Sequence, residues 1–186
     1  MAETNEYILE SIRSWVWSGY YSPEEVQEMI DDILEEDADE TLLRAAVDPE
    51  FQKKAEDETT WPDETDCDRL DAAFESLTQN GVLALQNAGY TMSDGHDDAA
   101  EALKEHDPGT FTGYCFFHGQ DLARAVRGDG LMIAFDHVDG DVPQKVDIGE
   151  QVKAALERFG FTVEWDGTIN RRIDIPKIDW KRRRTR

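Results

Sequence analysis

The sequence is poor in basic residues and has no long apolar run. It contains 19 Lys and Arg against 42 Asp and Glu, a formal net charge of −23. No apolar stretch approaches the ~20 residues that a membrane-spanning helix requires, so we expect no membrane association. Residues 1–6 are acidic and lack the basic-then-apolar pattern of a secretory leader, which predicts a cytoplasmic protein.

Cysteine is scarce, and the usual nucleotide-binding motifs are missing. Cys67 and Cys115 lack metal-ligand spacing, so we interpret each as a small buried hydrophobic residue and not as a disulfide partner. Gly128 and Gly130 open a predicted strand instead of a helix, so they form neither a phosphate loop nor a dinucleotide fingerprint. We therefore expect no cofactor, and a nucleotide-dependent enzyme is disfavoured.

The charge is distributed unevenly. Residues 1–170 contain 40 acidic and 11 basic residues, net −29, whereas residues 171–186 contain 8 basic and 2 acidic residues, net +6. Such a body repels nucleic acid and anionic membranes and attracts basic proteins, which leaves only the basic tail to contact nucleic acid. We expect Arg182, Arg183 and Arg184 to fold back onto the acidic helices. Solubility or adaptation to a salty cytoplasm explains the same acidity equally well.

The first 80 residues show helical patterns. Ser22, Pro23 and Glu25 have the order of a helix start with a capping box. Apolar periodicity predicts helices over residues 5–18, 22–33 and 66–79, with short helical segments from about residue 41 to 50. The acidic face of the second helix is typical of a solvated surface, so none of its carboxylates is interpreted as functional.

Strand patterns dominate the remainder of the chain. Strands are expected near residues 82–87, 114–118, 131–136, 161–166 and 169–175, the last two forming a hairpin at Asp166 and Gly167. Helical patterns separate the first three strands, which favours βαβ crossovers and parallel pairing. The predicted fold class is α/β, with α+β as an alternative, and N-terminal helices packed on a mixed five-stranded sheet.

We expect this fold to form a single domain over residues 1–186. Within it, the composition distinguishes a helical part, an α/β part and a basic tail, at residues 1–80, 81–176 and 177–186.

Polar residues follow each of the first three predicted strands. If those strands are parallel, their carboxyl ends meet at one edge of the sheet, where open α/β sheets bind ligands. The sequence therefore predicts one concave patch made of Asn87, Tyr90, His118, Gln120, Asp121, Asp136 and His137.

A metal site is one interpretation of this patch. His118 and His137, with the neighbouring aspartates, are suitable ligands for zinc, manganese or iron, but no local metal motif accompanies them. The favoured alternative is that Asp121 and Asp139 cap a helix or turn while the histidines make ordinary hydrogen bonds. Cys115 lies three residues before His118 on a strand, so the two face opposite sides and a cysteine hydrolase is discounted.

The same residues carry a resemblance to a known family. Asn87-Ala88-Gly89-Tyr90-Thr91 followed by Ser93-Asp94-Gly95, then Gly113-Tyr114 and Gln120-Asp121, resembles an uncharacterised bacterial family, a domain of unknown function. Trp165-Asp166-Gly167-Thr168 and Arg171-Arg172 extend the likeness over the C-terminal part of the chain. The resemblance implies a coherent domain and supplies no established activity.

Two functions remain open. The favoured one is non-enzymatic: an acidic protein that binds a basic protein partner, as an inhibitor or immunity-type protein does, through Asn87, Tyr90, Gln120, Asp121 and Asp136. The alternative is a small hydrolase, with or without a metal ion, that uses His118, Asp121, Asp136 and His137.

Overall fold

A computed structural model of the chain describes residues 2–183 and shows two compact units. The first unit contains the residues up to Thr65 and the described residues from Trp180 onward, and the second is Asp66–Asp179. Arg184 and Arg186 of the predicted basic tail lie outside the described residues. Whether the units act as the single domain predicted from the sequence stays a prediction.

The first unit is a helical bundle with a core of its own. Its helices are α1 (Ala2–Ser18), α2 (Pro23–Ile33), α3 (Glu40–Ala45) and α4 (Val47–Glu58). Each contributes apolar side chains at helical spacing to one cluster, whose fully buried members are Ile8, Ile12, Val16, Val26, Ile30, Leu43 and Val47. Burial of these side chains stabilises the bundle by roughly 1.5–3 kcal/mol each before the entropy of folding is counted.

The start of α2 confirms the predicted capping box. The Ser22 hydroxyl accepts a hydrogen bond from the Glu25 amide at 3.1 Å, and the Glu25 carboxylate accepts one from the Ser22 amide at 2.7 Å. Pro23 occupies the first turn, where its missing amide hydrogen costs nothing. Local chemistry alone therefore determines where this helix begins.

Residues near the end of the chain dock within the first unit, and their contacts include aromatic rings and carbonyl oxygens. The buried Trp180 indole donates to the Ser18 carbonyl oxygen at 3.1 Å. The Arg182 guanidinium lies 4.7 Å from the centre of the Tyr20 ring, and Arg183 donates to the Pro62 carbonyl oxygen at 2.7 Å. Docking was expected, but these contacts are with π faces and backbone groups.

The second unit contains a four-stranded sheet and the remaining helices. Its elements are α5 (Asp66–Gln79), β1 (Val82–Leu85), α6 (Met92–Lys104), β2 (Gly113–Phe116), α7 (Gly119–Arg127), β3 (Leu131–His137), α8 (Val142–Arg158) and β4 (Ile173–Ile175). The strand order is β1-β2-β3-β4. The α/β class is confirmed, whereas the expectation of five strands is wrong.

The direction of β3 also differs from the prediction. β1 and β2 are parallel, but β2 and β3 are antiparallel, with Gly113 opposite His137 and Phe116 opposite Ala134. The helix between them does not return the chain to the other edge of the sheet. It ends at Gly128, whose φ of +87° starts a tight turn that leads into β3 at the end where β2 stopped. A helix between two strands is therefore compatible with either pairing.

The predicted C-terminal hairpin is reduced to one bridge and a loop. Glu164 and Asp174 form an isolated antiparallel pair, so residues 161–166 do not make a strand. The Trp165 indole explains the difference, because it donates to the carbonyl oxygens of Thr168 and Arg171 at 3.0 and 3.1 Å. These bonds close a wide loop around the ring, which holds the two segments apart.

Helices cover both faces of the sheet. On one face, Gly95 of α6 lies against the Phe116 ring. On the other, Ile148 of α8 lies against Gly113, three residues earlier on β2, and α5 packs against β1. Alternation along the strands produces this layering because successive side chains point to opposite faces. Within residues 2–183, no helix is long and apolar enough to span a membrane.

Replacing Gly113 with alanine should lower the free energy of unfolding by about 2 kcal/mol. The added Cβ would stand 2.5 Å from Ile148 Cδ1 and 2.7 Å from the Asp136 carbonyl oxygen. Ile148→Ala removes both Cδ1 and Cγ1, which would lie 2.5 and 2.6 Å from the added Cβ, so urea denaturation of the double variant should show a loss smaller than the sum of the single losses. Strictly additive losses would contradict this packing.

Candidate functional site

The parallel pairing of β1 and β2 continues beyond the strands and brings together the residues that follow them. These residues, among them Asn87, Tyr90, His118, Gln120 and Asp121, form the strand-end cluster. The Ala88 amide donates to the Phe117 carbonyl oxygen at 3.0 Å, and the Gly119 and Gln120 amides donate to the Gly89 and Tyr90 carbonyl oxygens at 2.9 and 3.2 Å. These bonds satisfy amides at the start of α7, which have no partner inside the helix. They bring the segments around Asn87 and His118 together, as predicted.

His118 is the N-cap of α7. Its Nδ1 accepts a hydrogen bond from the Asp121 amide at 3.4 Å, and only 3% of the side chain is exposed. An accepting Nδ1 places the ring proton of the neutral imidazole on Nε2, which lies 3.1 Å from Asp121 Oδ2. The sequence predicted that Asp121 is the cap, whereas the cap is His118, three residues earlier.

The buried Asp121 carboxylate is neutralised by Arg172. Asp121 is 1% exposed, and the Arg172 NH1 group donates to its Oδ2 at 2.7 Å. The other terminal nitrogen of Arg172 lies 3.1 Å from Met132 Sδ, and NH1 lies 3.7 Å from Met92 Sδ. A thioether sulfur accepts only weak hydrogen bonds, so Asp121 is the principal partner of the guanidinium. The low polarity of the two methionines strengthens the attraction between the charges.

The electrostatics keep His118 neutral. Burial is the main cause that lowers the pKa of its imidazole, and the Arg172 charge adds to it, while Asp121 and Asp94 act in the opposite direction. Asp94 itself has a lowered pKa because the Thr91 amide and hydroxyl donate to its carboxylate. With both ring nitrogens engaged inside the protein, His118 has no proton to exchange with a bound substrate, so the geometry favours a structural role.

Asp136 and His137 lie at the opposite end of the sheet from this cluster. Because β3 is antiparallel to β2, His137 is opposite Gly113 and Asp136 is opposite Tyr114. The predicted single patch is therefore wrong, and His118 and His137 cannot share a metal ion. The cause is the reversed strand, since the carboxyl ends of antiparallel strands point to opposite edges.

The residues around Asp136 form a small polar network of their own. Lys145 Nζ lies 2.9 Å from its carboxylate, and His96 Nδ1 lies 2.9 Å from the Tyr114 hydroxyl. Burial, with the nearby Asp136 charge, raises the pKa of Tyr114 to about 12. His137 Nδ1 accepts a bond from the Asp139 amide at 3.2 Å, so the favoured expectation of an ordinary hydrogen bond holds for this histidine.

Neither metal binding nor thiol chemistry is supported by the geometry. Among residues 2–183, no three His, Cys, Asp or Glu side chains are grouped to hold a metal ion. Cys115 is fully buried within β2, and burial alone raises the pKa of its thiol. The inert interpretation of this cysteine is consistent with that environment.

Sequence reasoning missed Arg172, Met92 and Met132 as members of the strand-end cluster. One signal was available for the arginine: it precedes Ile173 and alternates with it, so it must face the side of β4 that carries Asp174. A cation at such a position, in a chain so rich in carboxylates, indicates a buried acidic partner. The methionines gave no comparable signal because they are ordinary core residues.

Replacing Arg172 with methionine should lower the free energy of unfolding by about 3 kcal/mol, since Asp121 would remain buried without its cation. Arg171→Met is the matched control, because Arg171 is exposed and its loss should cost at most about 0.5 kcal/mol. Adding Asp121→Asn to Arg172→Met should recover part of the loss in urea denaturation. Equal effects of the two arginine substitutions would exclude a stabilising ion pair.

His118→Asn should change the pH dependence of stability. Asparagine keeps the helix cap but has no titrating group. Because the folded pKa of His118 lies below the unfolded value of about 6.5, only the unfolded chain gains this proton as the pH first falls below that value. The wild type should therefore lose stability relative to the variant between neutral pH and the folded pKa.

Free energies of unfolding measured by urea denaturation at a series of pH values test this expectation. The difference in free energy of unfolding between the wild type and His118→Asn should stay constant above the unfolded pKa. Below that pKa, the wild type should become less stable relative to the variant. Parallel profiles through the acidic range would show that His118 is not held neutral.

Comparison with known proteins identifies the family of the chain. No curated protein matches it significantly, and no solved structure does. The likeness carried by the motifs from Asn87 onward extends to the N-terminal helices, which those motifs did not reach. The chain belongs to the family described as a domain of unknown function (DUF6891), whose model matches residues 1–184.

Proposed function

We propose that the protein binds a basic protein partner, in the manner of an inhibitor or an immunity-type protein. The observation that carries the proposal is the excess of exposed carboxylates in the first unit. Residues 1–65 contain 20 acidic and 4 basic residues, net −16, and 18 of those acidic residues are exposed. Lys181, Arg182 and Arg183, which belong to the same unit, reduce this net charge to −13. This density of one sign attracts cationic surfaces over several ångströms and accelerates their association.

The four basic residues in this part of the chain are already engaged by carboxylates of the same unit. Arg44 contacts Asp31 and lies 2.7 Å from Glu40, while Lys54 lies 2.7 Å from Glu58. Arg13 and Lys53 each lie 3.9 Å from Glu50. Four positive charges are thus shared among five contacts with carboxylates, and most of the 20 acidic residues have no cation among the basic residues of this part of the chain beside them and face solvent.

The strand-end cluster supports partner binding less well than the sequence suggested. Asn87, Tyr90 and Gln120 lie together, and Tyr90 is 61% exposed. Asp121, however, is buried and paired with Arg172, and Asp136 lies at the other end of the sheet. The proposed acidic surface is therefore on the helical unit. The hydrolase alternative loses the convergence of His118 and His137 on which it depended.

Affinity capture from the source cell at two ionic strengths tests the proposal. Proteins rich in Lys and Arg should be retained at about 50 mM salt and largely released at about 500 mM, because the screening length falls with ionic strength. A variant with Glu28, Asp32, Glu35 and Glu36 changed to the corresponding amides should retain less of the same proteins.

The matched control removes four exposed acidic charges from the second unit, with Asp97, Asp98, Glu101 and Glu105 changed to amides. Its net charge equals that of the first variant, so a difference in retention between the two variants reflects where the removed charges lie. If the partner binds the first unit, retention by the control should stay near the parent level. Capture of no basic protein by the parent, or equal loss in both variants, would favour the view that the acidity serves solubility alone.

A further inference from the structure

The first unit contains a groove with an apolar floor and an acidic rim. Its volume is about 410 Å³. Leu9, Leu42 and Ala46 lie on its floor. Its polar lining residues are Asn5, Glu6, Glu10, Arg13 and Glu50, so three carboxylates face one cation there. A concave surface of this size falls within the range of natural ligand and peptide sites.

Helical spacing explains the lining of the groove. Glu6, Leu9 and Glu10 are separated by three and four residues, so they occupy one face of α1. Leu42 lies in α3 and Ala46 directly follows it, so the two complete the apolar lining from a second helix, and Leu42 is 46% exposed. A leucine kept half in water at a concave site gains free energy when a partner covers it.

The acidic rim is partly fixed in position. Glu50 Oε1 accepts a hydrogen bond from the Trp17 indole at 2.6 Å, and Arg13 lies 3.9 Å from the same oxygen. Glu6 and Glu10 are exposed on the neighbouring wall. The rim therefore combines one preorganised carboxylate with two that can follow an incoming cation.

We propose that this groove receives an amphipathic basic segment of the protein partner, with apolar side chains on the Leu9 and Leu42 floor and Lys or Arg side chains against Glu6 and Glu10. The inference rests on the proposed function and specifies its docking site. Apolar anchors flanked by cations are the complement of this lining, as in other helix-in-groove complexes. A second copy of the chain fits poorly, because its helical unit has the same acidic charge.

A synthetic peptide provides the probe. Its sequence of about 14 residues places Leu at i, i+3, i+4 and i+7 and Lys elsewhere, and fluorescence anisotropy measures its affinity. A second peptide of identical composition, scrambled so that Leu no longer falls on one helical face, controls for charge alone. The parent protein should bind the amphipathic peptide more tightly than the scrambled one.

Two groove variants and one control locate the contact. Glu6→Gln with Glu10→Gln should weaken binding of the amphipathic peptide about fivefold, and Leu42→Ser about tenfold. The control, Asp63→Asn with Glu64→Gln, removes the same charge from exposed positions of the same unit that do not line the groove. Circular dichroism and thermal unfolding confirm that each variant is folded.

The outcomes separate the groove from the general charge of the unit. Selective loss in the Glu6, Glu10 and Leu42 variants supports docking in the groove. Equal weakening by the rim variant and its control, or equal affinity for both peptides, overturns the groove inference. If captured basic proteins are still retained by the groove variants, the inference fails while the proposed function stands; if the parent retains none, the proposed function fails by itself.

Discussion

The buried carboxylate of Asp121 constrains the second unit. An ionised carboxylate removed from water costs several kcal/mol unless a cation and hydrogen-bond donors compensate. Arg172 and the His118 imidazole supply that compensation. His118 lies three residues before Asp121 at the start of α7, whereas Arg172 comes from the distant segment beside β4. Arg172 directly precedes β4, so the ion pair ties the end of the sheet to the first turn of α7. The antiparallel pairing of β4 with β3 places the arginine there, and a slip of one residue would turn its side chain to the other face.

Local signals in the sequence were sufficient for most helices and strands. An exception is α4, which continues to Glu58, whereas helical segments were predicted only to about residue 50. Ser22 and Glu25 determine the start of α2 through bonds within four residues, and β1, β2 and β3 were expected close to where they lie. Long-range pairing was not accessible in the same way. The direction of β3 depends on a turn after Gly128, and the lost fifth strand depends on the hydrogen bonds of the Trp165 ring. Both are tertiary choices that hydrophobic periodicity does not encode.

The candidate site shows the same division between local and distant information. His118 and Gln120 were correctly associated with Asn87 and Tyr90, because a parallel β1 and β2 pair brings successive strand ends together. Asp136 and His137 were wrongly added, because their placement required the direction of β3. Arg172 was missed since its partner is 51 residues away in the sequence. What the residue types conveyed most directly was the charge, and the largest excess of acidic over basic residues lies in residues 1–65, whose four cations are paired with carboxylates.

The docking of Trp180 and Arg183 within the first unit has a consequence for biosynthesis. Residues 66–179 separate these side chains from Ser18 and Pro62, which they contact. During synthesis, residues 1–65 leave the ribosome before Trp180 and Arg183 are translated, so these two side chains arrive only after the second unit has been made. Until then, the helical bundle lacks the contacts of Trp180 with Ser18 and of Arg183 with Pro62, and the Ser18 carbonyl oxygen has no indole donor while the sheet is being synthesised.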